Sequence, residues 1–244
     1  MSNGEAGSLS WYQTWWGVVI IGLVVLVVVA VLGLGSVVGY YVWKIKRGEG
    51  DDILNKLNET KKPVSAILDS TRKDLETSDD PILGNPKAEL VIVEFIDFKC
   101  PNSKAADQII KKVAQKYWNK VKVIVRDFPT ESIYPGSSEL ALLSSCAQNQ
   151  GKYWALHDIF FANQDTLPLK LSELDTKNLL GQAGVDFAQV QKCLNGSQVK
   201  TEINRDYATG FKYGVSGTPT FFINGQKVEG VITFEAWEKF LGRL

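Results

Sequence analysis

The stretch that most restricts what this chain can become is Leu90-Val91-Ile92-Val93-Glu94-Phe95-Ile96-Asp97-Phe98, which runs through Lys99 into Cys100-Pro101-Asn102-Ser103. A β-branched and aromatic run of this length, followed at once by a helical pattern, predicts a buried strand, a tight turn and a thiol at a helix N-terminus. The helix is predicted from the stripe Ala106, Ile109, Ile110, Val113 and Tyr117, with Lys111, Lys112 and Lys116 on a solvated face. A sulfur at a helix start meets unpaired backbone N–H groups and the positive end of the helix dipole, both of which favour the thiolate, and Lys99 and Lys104 add positive charge nearby.

The 244 residues carry 27 basic and 27 acidic side chains, so the balanced charge gives no electrostatic case for a nucleic-acid partner. A single histidine, His157, and three scattered cysteines give no metal-ligand spacing, and no glycine loop of a phosphate-binding kind is present. No cofactor or metal is expected. His157 reads as a packed helical residue.

Upstream, Val18–Trp43 is an uncharged run of about 26 residues, long enough to cross a bilayer. Trp11, Tyr12, Trp15 and Trp16 stand before it, and Tyr40, Tyr41 and Trp43 close it, as interfacial aromatics do. With no basic leader before the apolar run, a transmembrane helix is expected rather than a cleaved signal. Residues 1–17 form a short tail. Residues 44–80 are expected to form a polar helical stalk, with Ile53, Leu54, Leu57, Val64, Ile67, Leu68 and Leu75 at helical spacings, broken at Ser78-Asp79-Asp80-Pro81.

Beyond the first helix, Val121–Val125 predicts a second strand, parallel to the first by the right-handed crossover rule. Residues 137–213 are helical almost throughout. Strands resume at Thr220–Ile223 and Lys227–Gly230 around an Asn224-Gly225 hairpin turn, and Thr233 is placed to cap a last helix packed through Phe234, Trp237, Phe240 and Leu241.

Cys100-Pro101-Asn102-Ser103 after its strand, together with Val215-Ser216-Gly217-Thr218-Pro219-Thr220 entering a later one, resembles the DsbA-like branch of the thioredoxin superfamily. Arg126-Asp127-Phe128-Pro129 and Gln150-Gly151-Lys152-Tyr153-Trp154 extend the likeness. The resemblance implies an α/β thioredoxin fold over residues 81–244 with an all-helical insertion at about 131–213, preceded by the one transmembrane helix. It implies that Pro219 is a cis proline set against Cys100, that Pro101, Asn102 and Thr218 border bound substrate, and that Glu94 matches the buried acid that moves protons in relatives, in a catalytic or a residual structural role. Some relatives join two insertion helices by a disulfide, a role open to Cys146 and Cys193, whose other reading is a pair of buried thiols. Asp97 is read as orienting the active-site turn.

The departure from the family pattern is Ser103, where a second cysteine is usual. A serine hydroxyl can hydrogen-bond the Cys100 sulfur but cannot expel a captured substrate, so one sulfur must work alone and an outside thiol must resolve the mixed disulfide. That points to a thiol–disulfide oxidoreductase of the isomerase or reductase kind, acting on client protein disulfides. The alternatives are a non-catalytic peptide-binding module and a glutathione-dependent transferase. Orientation is contested: Lys44, Lys46 and Arg47 after the span favour a cytoplasmic domain by the positive-inside rule, whereas family habit and a Cys146–Cys193 bridge favour the outside, which is the expectation adopted.

Overall fold

A computed structural model describes residues 15–44 and 64–242, and the chain divides into two compact units, Met1–Pro63 and Val64–Leu244. In the first unit, helix α1 spans Trp15–Lys44. Its Trp15–Val37 portion is long and apolar enough to cross a membrane. Val18, Leu26 and Leu34 are exposed along it, with Trp15, Trp16, Tyr40 and Trp43 exposed near its two ends. Trp11, Tyr12, Lys46, Arg47, Ile53, Leu54 and Leu57 lie outside the described residues.

The second unit is built on a five-stranded sheet in the order β1-β3-β2-β4-β5, comprising β1 (Ile82–Gly84), β2 (Leu90–Ile96), β3 (Val121–Asp127), β4 (Thr220–Ile223) and β5 (Gln226–Glu229). Only β2 and β3 are parallel, joined by helix α3 (Pro101–Lys116); the other neighbours pair antiparallel. Strand β1 carries no pattern of its own in the sequence, because three residues are too few for a period to show. The β4–β5 hairpin turns on Asn224 and Gly225, both at positive φ, as the Asn-Gly pair requires.

Because side chains alternate along a strand, the central strand β2 feeds two cores. Leu90, Ile92 and Ile96 join one cluster with Val123 and Val125 of β3, Phe221 of β4 and Ile110 and Val113 of α3. Val91, Val93 and Phe95 join another with Ile124, Phe128, Val215 and Phe222. All seven residues of β2 are buried, which explains a nearly continuous apolar run rather than an alternating one. The larger core is covered by the helical insertion: α4 (Ser137–Gln148), α5 (Tyr153–Asn163), α6 (Glu173–Gln182), α7 (Phe187–Asn195) and α8 (Gln198–Lys212). Cys146 of α4 and Cys193 of α7 form a disulfide. The last helix, α9 (Phe234–Leu241), is capped by the Thr233 hydroxyl, which accepts from Ala236 N–H at 3.2 Å. Trp237 and Leu241 are buried beneath it, but Phe240, expected to pack down, is 39% exposed.

Helix α2 (Val64–Leu75) belongs to the second unit, upstream of the Pro81 break. Leu75 is buried with the smaller core. The segment that follows is held by charge: buried Arg126 pairs with Asp80 at 3.3 Å and donates through Nε to Asp206 of α8 at 3.1 Å.

Gly210 of α8 allows that helix to lie on the aromatic pair Phe95 and Phe128, since a Cβ there would stand 2.8 Å from the Phe128 ring. Replacing it with Ala gains up to about 1 kcal/mol of helix propensity but overpacks a buried contact at about 1–3 kcal/mol, so Gly210→Ala is expected to lower stability. Gly181→Ala on α6, where nothing lies within 4 Å, is expected to raise it by a few tenths to about 1 kcal/mol. Denaturant midpoints of the two variants check the pair.

Candidate active site

Cys100 is the N-cap of α3 and Pro101 occupies the first helical turn, where its missing N–H costs nothing. The Cys100 side chain makes no cap hydrogen bond; its thiol donates to the carbonyl oxygen of Thr218 at 3.1 Å. The Thr218–Pro219 peptide is cis. These two halves of the site meet because β2 and β4 are hydrogen-bonded neighbours, with Phe95 opposite Thr220 and Ile92 opposite Ile223. Pro101 and Asn102 are exposed and Thr218 is half-buried, whereas Pro219 is buried. Cys100 is itself only 3% exposed.

Ser103 does not take the position expected of it. It is fully buried, and its hydroxyl accepts from the Asp97 N–H at 3.3 Å; among the described residues no hydrogen bond joins it to Cys100. The neighbouring lysines are also turned elsewhere. Lys104 pairs with Asp165 at 2.6 Å, and the Lys99 ammonium donates to the Pro168 carbonyl. Lys111 bridges Asp107 at 3.0 Å and Asp158, so it is a paired group rather than part of a free solvated face.

Asp97 orients far more than its own turn. Its carbonyl accepts from Cys100 N–H at 3.0 Å, and its buried carboxylate accepts from Lys99 N–H (2.8 Å), Thr130 N–H (2.8 Å), the Thr130 hydroxyl (2.6 Å) and the Ser137 hydroxyl (2.7 Å). A buried carboxylate is tolerated when donors surround it in this way. Gln164 is a second organiser, and its position after α5 offers no motif to find it by. Its Nε2 donates to Phe98 O at 2.8 Å and Cys100 O at 3.0 Å, tying the active-site turn to the insertion.

Glu94 lies on β2, opposite Val125 and Phe221, on the strand face shared with Ile92 and Ile96. It is 1% exposed and its Oε1 has no partner. Burial pushes its carboxyl up to about 8, Asp107 adding to the rise and Lys111 opposing it, so the protonated form prevails at neutral pH. His157 is also buried, its Nδ1 3.0 Å from Asp158 and its Nε2 3.6 Å from Asp107; burial lowers its pKa and favours a neutral ring.

Comparisons with known proteins agree with this architecture. A thioredoxin family model matches residues 76–243. Among solved structures, a thioredoxin-like oxidoreductase from Silicibacter pomeroyi DSS-3 superposes with a TM-score of 0.62 at 26% identity, covering 70% of this chain and 96% of its own. The catalytic domain of Proteus mirabilis ScsC (TM-score 0.61, 20% identity, 73% and 97% covered) and the thiol-disulfide exchange protein alpha-DsbA2 of Wolbachia pipientis (0.60, 19%, 73% and 94%) share the fold. Curated relatives include Na(+)/H(+) antiporter NhaA 3 of Salinispora tropica, 28% identical over 157 residues, and NhaA 1 of Mycobacterium sp. strain KMS, 31% identical over 153 residues. These matches take in 64% and 62% of this chain but 23% and 24% of the antiporters, so the chain spans about a quarter of the length of the curated relatives it matches. With the family model covering well over half of its residues, the chain belongs to the thioredoxin family.

Proposed function

We propose that this protein is a membrane-anchored thiol–disulfide oxidoreductase that works through one nucleophilic sulfur, Cys100, on disulfides of client proteins outside the cytoplasm. The observation that carries the reading is the 3.1 Å contact between the Cys100 thiol, at a helix start, and the Thr218 carbonyl of a cis Thr–Pro peptide. Cys100 as thiolate attacks one sulfur of a client disulfide, forming a mixed disulfide and releasing the other sulfur as thiolate. In isomerisation another thiolate of the client then attacks the client sulfur and Cys100 departs; in reduction an external thiolate attacks the Cys100 sulfur, the client leaves as thiolate, and a second external thiolate frees Cys100 as the external disulfide forms. Ser103 has no sulfur to perform that release, which suits isomerisation or reduction rather than net oxidation. Exposed Pro101 and Asn102 border the client, and the backbone at Thr218 is the edge to which an extended client segment adds. Glu94 is the buried proton reservoir of the site.

Helix α1 is the anchor. The Cys146–Cys193 disulfide supports an oxidising compartment for the domain, against the positive charges after the span. A second reading, a peptide-binding module with an incidental thiol, has the deep burial of Cys100 in its favour.

With the full chain in detergent, Cys100→Ser is expected to abolish capture of oxidised glutathione and of a disulfide-scrambled test protein. If the variant still binds clients and fulfils the cellular role, the module reading replaces this one; if it still conjugates glutathione, a transferase does. In intact cells, a membrane-impermeant maleimide is expected to label Cys100, and labelling seen only after lysis would put the domain in the cytoplasm. Glu94 binds a proton in the folded state between pH 4.5 and about 8 that the unfolded chain has already lost, so its burial costs stability as pH rises through that window. Glu94→Gln is therefore expected to be more stable than the parent near pH 8, by on the order of a few kcal/mol, with the difference shrinking toward pH 4.5. Thermal unfolding across that range measures it.

A further inference from the structure

The exchange chemistry assigned to Cys100 requires its sulfur to carry negative charge before it attacks and again when it is expelled. The Thr218 oxygen at 3.1 Å can only accept a hydrogen bond, which suits the thiol and opposes the thiolate. The Ser103 oxygen is engaged by the Asp97 amide, and the Lys99 and Lys104 ammonium groups are held by Pro168 and Asp165. The charge therefore falls to the start of α3, where a helix leaves backbone N–H groups without partners and presents the positive end of its dipole. Those groups serve the sulfur only while the turn from Asp97 to Cys100 keeps sulfur and helix start aligned.

Two residues hold that turn, and they divide its polar groups between them. Asp97 takes the N–H side, its carboxylate accepting from Lys99 N–H at 2.8 Å and its carbonyl from Cys100 N–H at 3.0 Å. Gln164 takes the carbonyl side, its Nε2 donating to Phe98 O at 2.8 Å and to Cys100 O at 3.0 Å. The peptide between Phe98 and Lys99 is thus pinned at both ends, its C=O by Gln164 and its N–H by Asp97. Cys100 O also accepts from Lys104 N–H at 3.2 Å, so the Gln164 amide meets α3 at its first backbone hydrogen bond. Two carbonyl acceptors require the NH2 end of the amide, which neither a carboxylate nor a thioether can replace. The other end is stranded: Gln164 is 8% exposed, and its Oε1 is buried with no hydrogen-bond partner among the described residues. An apolar side chain would fill the same place without stranding an oxygen, so packing alone does not account for a glutamine here. The residues after Gln164 repeat the connection, since Asp165 pairs with Lys104 at 2.6 Å and the Pro168 carbonyl accepts from the Lys99 ammonium.

We propose that Gln164 is a positioning residue for Cys100: by donating to Phe98 O and Cys100 O it sets the thiol-bearing turn on the start of α3, so that the helix terminus carries the charge of the thiolate. The inference rests on the monothiol reading above. The same two bonds occupy carbonyl oxygens of the turn, whose negative ends would otherwise oppose charge on the adjoining sulfur. Gln164 acts through the backbone of the turn rather than on the sulfur itself. The helical insertion thereby governs the reactivity of a cysteine that lies outside it, through a side chain 64 residues further along the chain.

The test uses the full chain in detergent and two substitutions. Gln164→Met keeps the length of the side chain and removes both donors; Gln164→Glu keeps its shape and supplies at most one. At neutral pH, Gln164→Met is expected to slow alkylation of Cys100 by iodoacetamide, and capture of oxidised glutathione, by about 5- to 20-fold, with Gln164→Glu between it and the parent. At a pH high enough to ionise Cys100 in all three proteins, the alkylation rates are expected to converge, because the substitutions reduce the thiolate fraction and not access to the sulfur. Equal rates in Gln164→Met and the parent at neutral pH would overturn the Gln164 role, and so would a deficit that persists undiminished at high pH, the mark of a merely structural residue. Should Gln164→Met fail to unfold cooperatively on heating, Gln164→Glu against the parent decides in the same two ways. Cys100→Ser keeps the two failures apart: parental rates in Gln164→Met with Cys100→Ser inactive leave the monothiol reading standing, whereas exchange persisting in Cys100→Ser removes both.

Discussion

Pairing of β2 with β4 is the constraint on which the rest depends. Cys100 and Thr218 are 118 residues apart, and no local preference would bring them together. Each is fixed at the end of a strand: β2 delivers Cys100 one short turn beyond Ile96, and β4 begins at Thr220, immediately after Pro219. The antiparallel ladder between them sets the two ends side by side. The turn of the hairpin secures the register from the far side, where Asn224 receives the Val91 N–H on its side chain at 2.9 Å and donates its own N–H to Val91 O at 2.8 Å. A slip of one residue would exchange the two core faces of β2 as well as separate the sulfur from the carbonyl.

Two buried carboxyl groups near that junction differ in their supply of hydrogen-bond donors. Asp97, at the end of β2, is enclosed by two backbone amides and two hydroxyls and so serves as a fixed peg between the active-site turn and the Thr130–Ser137 loop. Glu94, three residues earlier, has an unpartnered oxygen, and burial, with Asp107 adding to it, holds its carboxyl protonated. One acid therefore holds geometry, and the other holds a proton inside the domain.

Much of the scaffold is legible in the chain because its signals are local. The apolar run of β2, the stripe of α3, the Asn224-Gly225 turn and the Thr233 cap each record an interaction within a few residues. The uncharged run before them likewise declares a helix long enough for a bilayer through composition alone. Gln164 and the reach of Asp97 leave no such trace. Each works on a partner distant in sequence, as Gln164 does on Phe98 and Cys100, and the residue types themselves are common in loops and helices. Ser103 shows the converse: its motif position invites a bond to Cys100, yet the rotation of α3 under the β2 turn points its hydroxyl at the Asp97 amide. Lys104 and Lys111 look like free positive charge until helix packing brings Asp165 and Asp158 to them.

The amino-acid order was enough to specify the strands, helices and turns that follow an apolar helix, with a lone sulfur at a helix start and a Thr-Pro step later in the chain, since propensities, periods and turn chemistry act over short range; the thioredoxin-type arrangement was implied by the resemblance of those two motifs. What the environment of that sulfur is came from packing. Its proximity to Thr218 is set by strand pairing, and its turn is held by a buried carboxylate that joins it to the Thr130–Ser137 loop. Electrostatics at a site depends on which dipoles and charges face it, and facing is a property of the folded chain.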